Sequence, residues 1–163
     1  MRLRQGCRGM WIVPLVLAAD RITKVIATAL TGVHVLIPGI INARYVKNTG
    51  IAFSMFSGGG LWLILFTALL IAGLSLWLIA WPNEPRLFRC GIWLIVAGGL
   101  GNLYDRMAYG YVIDFFELAF MRFAVFNVAD ACICIGAGLA LLALFLDEIR
   151  IGKNGPKGNE HAE

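Results

Sequence analysis

The stretch Leu61 to Trp81, LWLILFTALLIAGLSLWLIAW, carries no charged side chain. A helix of about 20 apolar residues is what a bilayer core of about 30 Å requires, and hydrocarbon tolerates no backbone polar group left unpaired. Three further runs have comparable length: Met10 to Leu30, Leu87 to Tyr109 and Phe123 to Leu146. With 60% hydrophobic and 15% charged residues, and a mean hydropathy of +0.78, the chain is far from a soluble average. The expected fold class is an all-α membrane protein with four transmembrane helices and a small extracytoplasmic β-sheet between the first two. Residues 1–149 then form a single four-helix membrane domain, followed by a disordered cytoplasmic tail over 150–163, which is rich in Gly, Asn and charge.

Four spans leave both termini on one side. Arg2, Arg4 and Arg8, then Arg86 and Arg89, then Arg150, Lys153 and Lys157 share one face, whereas Arg44, Lys47, Arg106 and Arg122 share the other. The positive-inside rule makes the first face cytoplasmic. The net charge of +4 lies at the ends of apolar runs, where it reports topology rather than nucleic-acid binding. A cleaved signal peptide is rejected, because Asp20, Arg21 and Lys24 interrupt the first run and hydrophobicity resumes through Leu30. Cys7 has no apolar segment before it and is no lipidation site. Cys7, Cys90, Cys132 and Cys134 match neither a disulfide framework nor a zinc pattern. The five tryptophans are read as interfacial anchors.

Residues 31–60 have no helical period. Alternation in VHVLI and NARYVKN, broken at Pro38 and Gly39, predicts short strands outside the hydrocarbon, and Gly58 to Gly60 reads as a hinge into the second span.

Charged groups in apolar segments are costly, so their position is informative. Asp20 and Lys24 stand at i, i+4 on one helix face, consistent with either an ion pair or a site. Asn102, Asp105 and Arg106 share a face near the outer end of the third span, with Gly98, Gly99 and Gly101 permitting close helix approach. Asp105 suits a local or interhelical ion pair. Asn127 and Asp130 lie at i, i+3 where the fourth span begins, and Asp114 lies in an aromatic-rich connector just before it. These groups converge on one level, the outer interface. Two carboxylates held close in a low-dielectric site share a proton, the arrangement of aspartic proteases, and that chemistry needs no cofactor and no metal. His34 and His161, one in a loop and one in the tail, offer neither a Ser-His triad nor a His-rich metal site.

Five motifs in order resemble the bacterial lipoprotein signal peptidase, or signal peptidase II, family. Asp20 to Lys24 is similar to its D-x-x-[ST]-K, Asn48 to Phe53 to N-x-G-x-A-F, and Gly101 to Arg106 to G-N-x-x-D-R. Val112 to Phe115 is similar to V-x-D-F, and Phe126 to Asp130 to F-N-x-A-D. The segment Ala97 to Asn102 departs slightly from the usual G-G-A-x-G-N while keeping small residues. The resemblance implies an aspartyl endopeptidase of the bacterial inner membrane. Its substrate would be a prolipoprotein carrying diacylglycerol, cut just before the lipidated cysteine. Asp114 and Asp130 carry over as the catalytic pair, and Asp20, Lys24, Asn48, Gly50, Asn102, Asp105, Arg106 and Asn127 as supporting residues. The connector over 115–123 then reads as a lid or substrate-facing loop. A transporter or proton relay would show inverted repeats, which are absent; a scaffold using polar residues as helix glue leaves Asp114, outside the spans, unexplained.

Overall fold

The computed structural model describes residues 7–50 and 60–154. Arg2, Arg4, the motif residues Ile51, Ala52 and Phe53, the glycines Gly58 and Gly59, and the tail residues Lys157 and His161 lie outside the described residues. Among the described residues four helices and three strands follow in chain order: α1 (Ile12–Ala27), β1 (His34–Ile37), β2 (Ile41–Asn48), α2 (Gly60–Ala80), α3 (Arg86–Tyr109), β3 (Val112–Leu118) and α4 (Val128–Asn154).

Among the described residues, three segments are long and apolar enough to cross a bilayer: Leu61–Ala80, Arg86–Tyr109 and Val128–Arg150. Helix α1 has 16 residues, about 24 Å at 1.5 Å per residue, and is shorter than the Met10 to Leu30 span expected. It ends where the amides of Thr28, Ala29 and Leu30 turn back to Lys24, Ile26 and Ala27, ahead of Gly32 at φ 80°. Helix α4 begins at Val128 rather than at Phe123, because Phe126 is drawn into backbone pairing with Phe116. At its other end it remains helical to Asn154, beyond the expected start of the tail at 150.

Helix α3 is the axis of the molecule and is buried along most of its length, while α2 and α4 turn Phe66, Leu69, Leu141 and Phe145 outward. Small residues set the α3–α4 approach. A Cβ on Gly91 would stand 2.5 Å from the Gly136 carbonyl oxygen, and a Cβ on Gly136 equally close to that of Gly91. Two turns further along α3 a Cβ on Gly98 would collide with the Ala129 carbonyl. This is the close backbone contact that small residues permit between membrane helices.

Ile71, Leu78, Phe88, Ile92, Val96 and Ala140 fill the principal core, together with Trp93. Trp93 is thus a core residue and not an interfacial anchor: it is 2% exposed, and its indole N–H donates to the Arg8 carbonyl at 3.1 Å. Beside it the buried Arg89 donates to the Leu78 and Trp81 carbonyls at the C-terminus of α2. A positive side chain there satisfies carbonyls that the ended helix cannot.

The sheet is antiparallel in the order β1-β2-β3. A tight turn at Pro38 to Ile40, with Gly39 at φ 73°, joins β1 to β2 as the alternation predicts. The third strand corrects the expected location of the sheet between the first two helices alone. Val112–Leu118 follows α3 and pairs with β2 from Ile41↔Leu118 to Asn48↔Val112. Helix α3 stops at Gly110, whose φ of 78° turns the chain into this strand. Asp114 therefore sits in a strand, opposite Val46, and the first four positions of the expected 115–123 loop are sheet.

Candidate active site

Helix α4 starts with a reciprocal cap that fixes Asp130. The Asn127 side-chain oxygen accepts from the Asp130 amide at 2.9 Å, and Asp130 Oδ2 accepts from the Asn127 amide at 3.1 Å. This is a capping box with aspartate at the third helical position. The Asn127 side-chain amide then donates to Asp114 Oδ1 at 2.7 Å, to Asn102 Oδ1 at 3.1 Å and to the Ile113 carbonyl at 3.2 Å. A single fully buried asparagine therefore links the strand that carries Asp114 to the helix that carries Asp130.

Each carboxylate has a second amide partner. Asn48 at the end of β2 donates to Asp114 Oδ2 at 2.8 Å, and Asn102 on α3 donates to Asp130 Oδ1 at 2.7 Å. Burial pushes the Asp114 carboxyl up from 3.8 to about 6, and the neighbouring Asp130 carboxylate reinforces the rise; hydrogen bonds from Asn48 and Asn127 and the charge of Lys24 oppose it.

Behind this pair lies a buried charge cluster. Lys24, with no exposed surface, is 2.8 Å from Asp20 Oδ2, 2.9 Å from Asp105 Oδ2 and 3.1 Å from Asn102 Oδ1. Asp20 Oδ1 accepts the Ala129 amide at 3.0 Å, so α1 satisfies one of the free donors at the start of α4. Asp105 Oδ2 also accepts the Ile113 amide at 3.1 Å. The Asp20 carboxylate fits because position 101 is glycine, where a Cβ would stand 2.7 Å from its Oδ2.

All ten residues singled out in the sequence are brought into this region, with two refinements. Asp105 forms interhelical pairs with Lys24 and Arg21 (2.8 Å), while its chain neighbour Arg106 turns the other way and donates to the Gly50 carbonyl at 3.0 Å. The expected common face of Asn102, Asp105 and Arg106 is thus divided: Asn102 and Arg106 line a cavity, and Asp105 faces α1. Gly50 is held in turn by Asn48, whose side-chain oxygen accepts its amide. Sequence reasoning missed Arg21 as a partner. The only signal was a second cation inside an apolar run.

The cavity has a volume of about 600 Å³. Asp114, Asp130, Asn48, Asn102 and Arg106 form its polar end, and the rest is a mainly apolar wall from α2, α3, β3, residues 123–126 and α4, including Phe66, Leu70 and Ile133. Two carboxylates linked through one asparagine, facing a space that is otherwise apolar, are suited to general acid–base chemistry on a substrate that is itself largely apolar.

The profile of the family described as Signal peptidase (SPase) II matches residues 12–146. The chain is 38% identical to the lipoprotein signal peptidase of Shewanella sediminis, over 97% of this chain and 95% of that one. It is 41% identical to that of Teredinibacter turnerae, covering 77% and 79% respectively. A bacterial membrane enzyme solved by the in meso method at 2.3 Å superposes with a TM-score of 0.79 at 27% identity, over 96% of this chain and 94% of that one. A second, solved at 1.9 Å, gives 0.75 at 29% identity, over 84% and 92%. With the family profile covering nearly the whole described chain, the protein belongs to the signal peptidase II family of membrane-bound aspartic-type hydrolases.

Proposed function

We propose that the protein removes the signal peptide of diacylglyceryl-modified prolipoproteins, cutting just before the lipidated cysteine, with Asp114 and Asp130 as the catalytic pair. The observation that carries this reading is that Asn127 hydrogen-bonds both aspartates while both face one cavity. In the singly protonated pair, the ionised carboxylate takes a proton from a water whose oxygen attacks the scissile carbonyl. The protonated partner donates to the carbonyl oxygen as it gains negative charge, and the departing cysteine amine collects a proton as the C–N bond breaks. Arg106 stands at the polar end of the cavity, where its charge orients the substrate backbone. The apolar wall along Phe66, Leu70 and Ile133 accepts acyl chains without removing them from lipid surroundings. Asp20, Lys24, Asn48, Gly50, Asn102, Asp105 and Asn127 hold this geometry and need not touch the substrate.

In this reading α1 is the fourth span, the sheet lies in the outer headgroup layer, and both termini are cytoplasmic in the bacterial inner membrane. Its support is the clustering of Arg8, Arg86 and Arg89 at the end of the helices opposite the aspartates. A membrane-impermeant maleimide applied to intact spheroplasts labels a cysteine placed at His34 and leaves one placed at Arg86 unlabelled, in a background lacking native cysteines; the opposite pattern refutes the orientation.

Purified protein in detergent with a defined prolipoprotein tests the reaction. The diacylglyceryl-modified precursor is cleaved before its lipidated cysteine, the unmodified precursor is cleaved at least about tenfold more slowly, and EDTA leaves the rate unchanged. Equal cleavage of both precursors overturns the assignment of the apolar wall, and strong inhibition by EDTA overturns the metal-free mechanism.

A further inference from the structure

Each proposed catalytic aspartate follows a residue whose backbone amide is held by a buried carboxylate. Asp105 holds Ile113, next to Asp114, and Asp20 holds Ala129, next to Asp130. Lys24 lies between the two carboxylates at nearly equal distances of 2.8 and 2.9 Å. One ammonium between two carboxylates leaves an excess negative charge among buried side chains, where an unbalanced charge is expensive. The fourth charge is Arg21. Its Nη1 is 2.8 Å from Asp105 Oδ1, on the side of Asp105 away from Lys24's contact at Oδ2, and its guanidinium lies over the rings of Tyr104 (5.3 Å) and Tyr109 (5.8 Å). Cation–π contacts of this kind restrain the side chain as well as binding the charge.

We propose that Arg21 is a positioning residue for the hydrolysis: by balancing Asp105 from its far side, it keeps Lys24 shared between Asp20 and Asp105, and so keeps both aspartates in register. This rests on the catalytic pair proposed above. Without Arg21, Lys24 is drawn toward the under-compensated Asp105 and away from Asp20 and Asn102. Asp20 secures the Ala129 amide and Asn102 donates to Asp130, so the loss is felt at the helix that carries Asp130, on the opposite side of the cluster. Arg21 is not part of the cavity wall, and its removal leaves substrate contacts in place.

The charged and hydrogen-bonding groups around Asp114 are Lys24 from α1, Asn48 from β2, Arg106 from α3, Asn127 from the cap that precedes α4, and Asp130 from α4. Deleting the Arg21 cation adds net negative charge behind this set and favours the protonated state of the pair.

The experiment is steady-state cleavage of a diacylglyceryl prolipoprotein across pH by wild type, Arg21→Gln, Arg21→Lys, Asp105→Asn and the Arg21→Gln/Asp105→Asn double variant, with thermal unfolding of each in detergent. Arg21→Gln lowers kcat about tenfold with KM unchanged within about twofold, and moves the pH profile to higher pH. Arg21→Lys restores most of kcat and the wild-type profile. In the Asp105→Asn background, Arg21→Gln has no further effect, the signature of two residues acting through one contact. The proposal is overturned if Arg21→Gln keeps kcat within twofold of wild type, if Arg21→Lys is as impaired as Arg21→Gln, or if the Arg21→Gln loss persists undiminished beside Asp105→Asn. Should Arg21→Gln fail to fold, Arg21→Lys alone decides: near wild-type kcat and pH profile support a charge role, and a tenfold loss refutes it. A wild-type protein that cleaves no prolipoprotein refutes the proposed function instead, which separates the two failures.

Discussion

Asp114→Asn and Asp130→Asn each lower prolipoprotein cleavage by at least about 10³-fold while leaving the membrane fold intact, as measured by single-turnover cleavage and by thermal unfolding in detergent. Asparagine keeps the size of the side chain and one acceptor oxygen, so one of the two hydrogen bonds each carboxylate accepts is retained and the other, from Asn48 or Asn127 at position 114 and from Asn102 or the Asn127 amide at position 130, is lost. What it removes is the ability to hold or release a proton. Losing either member is nearly as damaging as losing both, because base and acid act on the same carbonyl in one step; the double variant is therefore far from additive. Near wild-type cleavage by either single variant refutes the catalytic pair.

The raised Asp114 carboxyl, at about 6 against 3.8 in an unfolded chain, also carries a stability signature. The folded state binds this proton more tightly than the unfolded state, so the group's contribution to stability falls as pH rises from about 4 through about 6 and stays low above. Thermal unfolding followed over that window shows a decline in wild type that is smaller in Asp114→Asn. A decline of the same size in both places the responsible proton elsewhere.

Lys24→Met has the largest expected effect on stability. It leaves the buried Asp20 and Asp105 carboxylates without the ammonium they share, with Arg21 still paired to Asp105. Removing one partner of a buried ion pair costs about 3–5 kcal/mol, against a total of about 5–15 kcal/mol for a typical domain. The variant accumulates poorly, and the fraction recovered in detergent unfolds at markedly lower temperature. Lys24→Arg does not rescue it, because the site has no exposed surface into which the larger guanidinium can extend. The triple variant Lys24→Met/Asp20→Asn/Asp105→Asn regains much of the stability, since removing all three charges also removes their desolvation cost. It does not regain activity. A Lys24→Met protein with unaltered yield and unfolding temperature shows that the cluster contributes nothing to the fold.

How much of this was legible in the sequence follows from cost. Lys24, Asp20, Asp105 and Asp130 are recognisable because a charge within an apolar run demands a reason, and the helical spacing assigns each to a level in the membrane. The hairpin of β1 and β2 was legible through its alternation and its Pro38–Gly39 turn. Strand β3 was not. VIDFFEL is covered on both faces along its first half, so it lacks the two-residue period that marks a half-buried strand, and its partner β2 lies on the far side of two helices in sequence. The same limit hid the pairing of Arg21. Local spacing shows that Asp20 and Lys24 share a face, but it cannot show that Asp105, on another helix, turns toward α1 while Arg106 turns toward the cavity. Trp93 was misjudged for a related reason: tryptophan near a span end is usually interfacial, whereas here it belongs to the cluster of Ile12, Phe88 and Val96 and donates to the Arg8 carbonyl, partners that local sequence does not reveal.

The capped start of α4 also bears on biogenesis. Asp130 is fixed locally by Asn127 at the cap of α4, yet the helix is tied to Asp20 on the first helix and to Asn102 on the third. A nascent chain whose first three helices have entered the bilayer holds Asp114 without its partner and Asp20 without the Ala129 amide. Such a chain has no competent proton pair. Under the proposed mechanism, hydrolysis begins only when the last helix docks, so a half-inserted or truncated protease is silent and the membrane is spared an unregulated peptidase during synthesis.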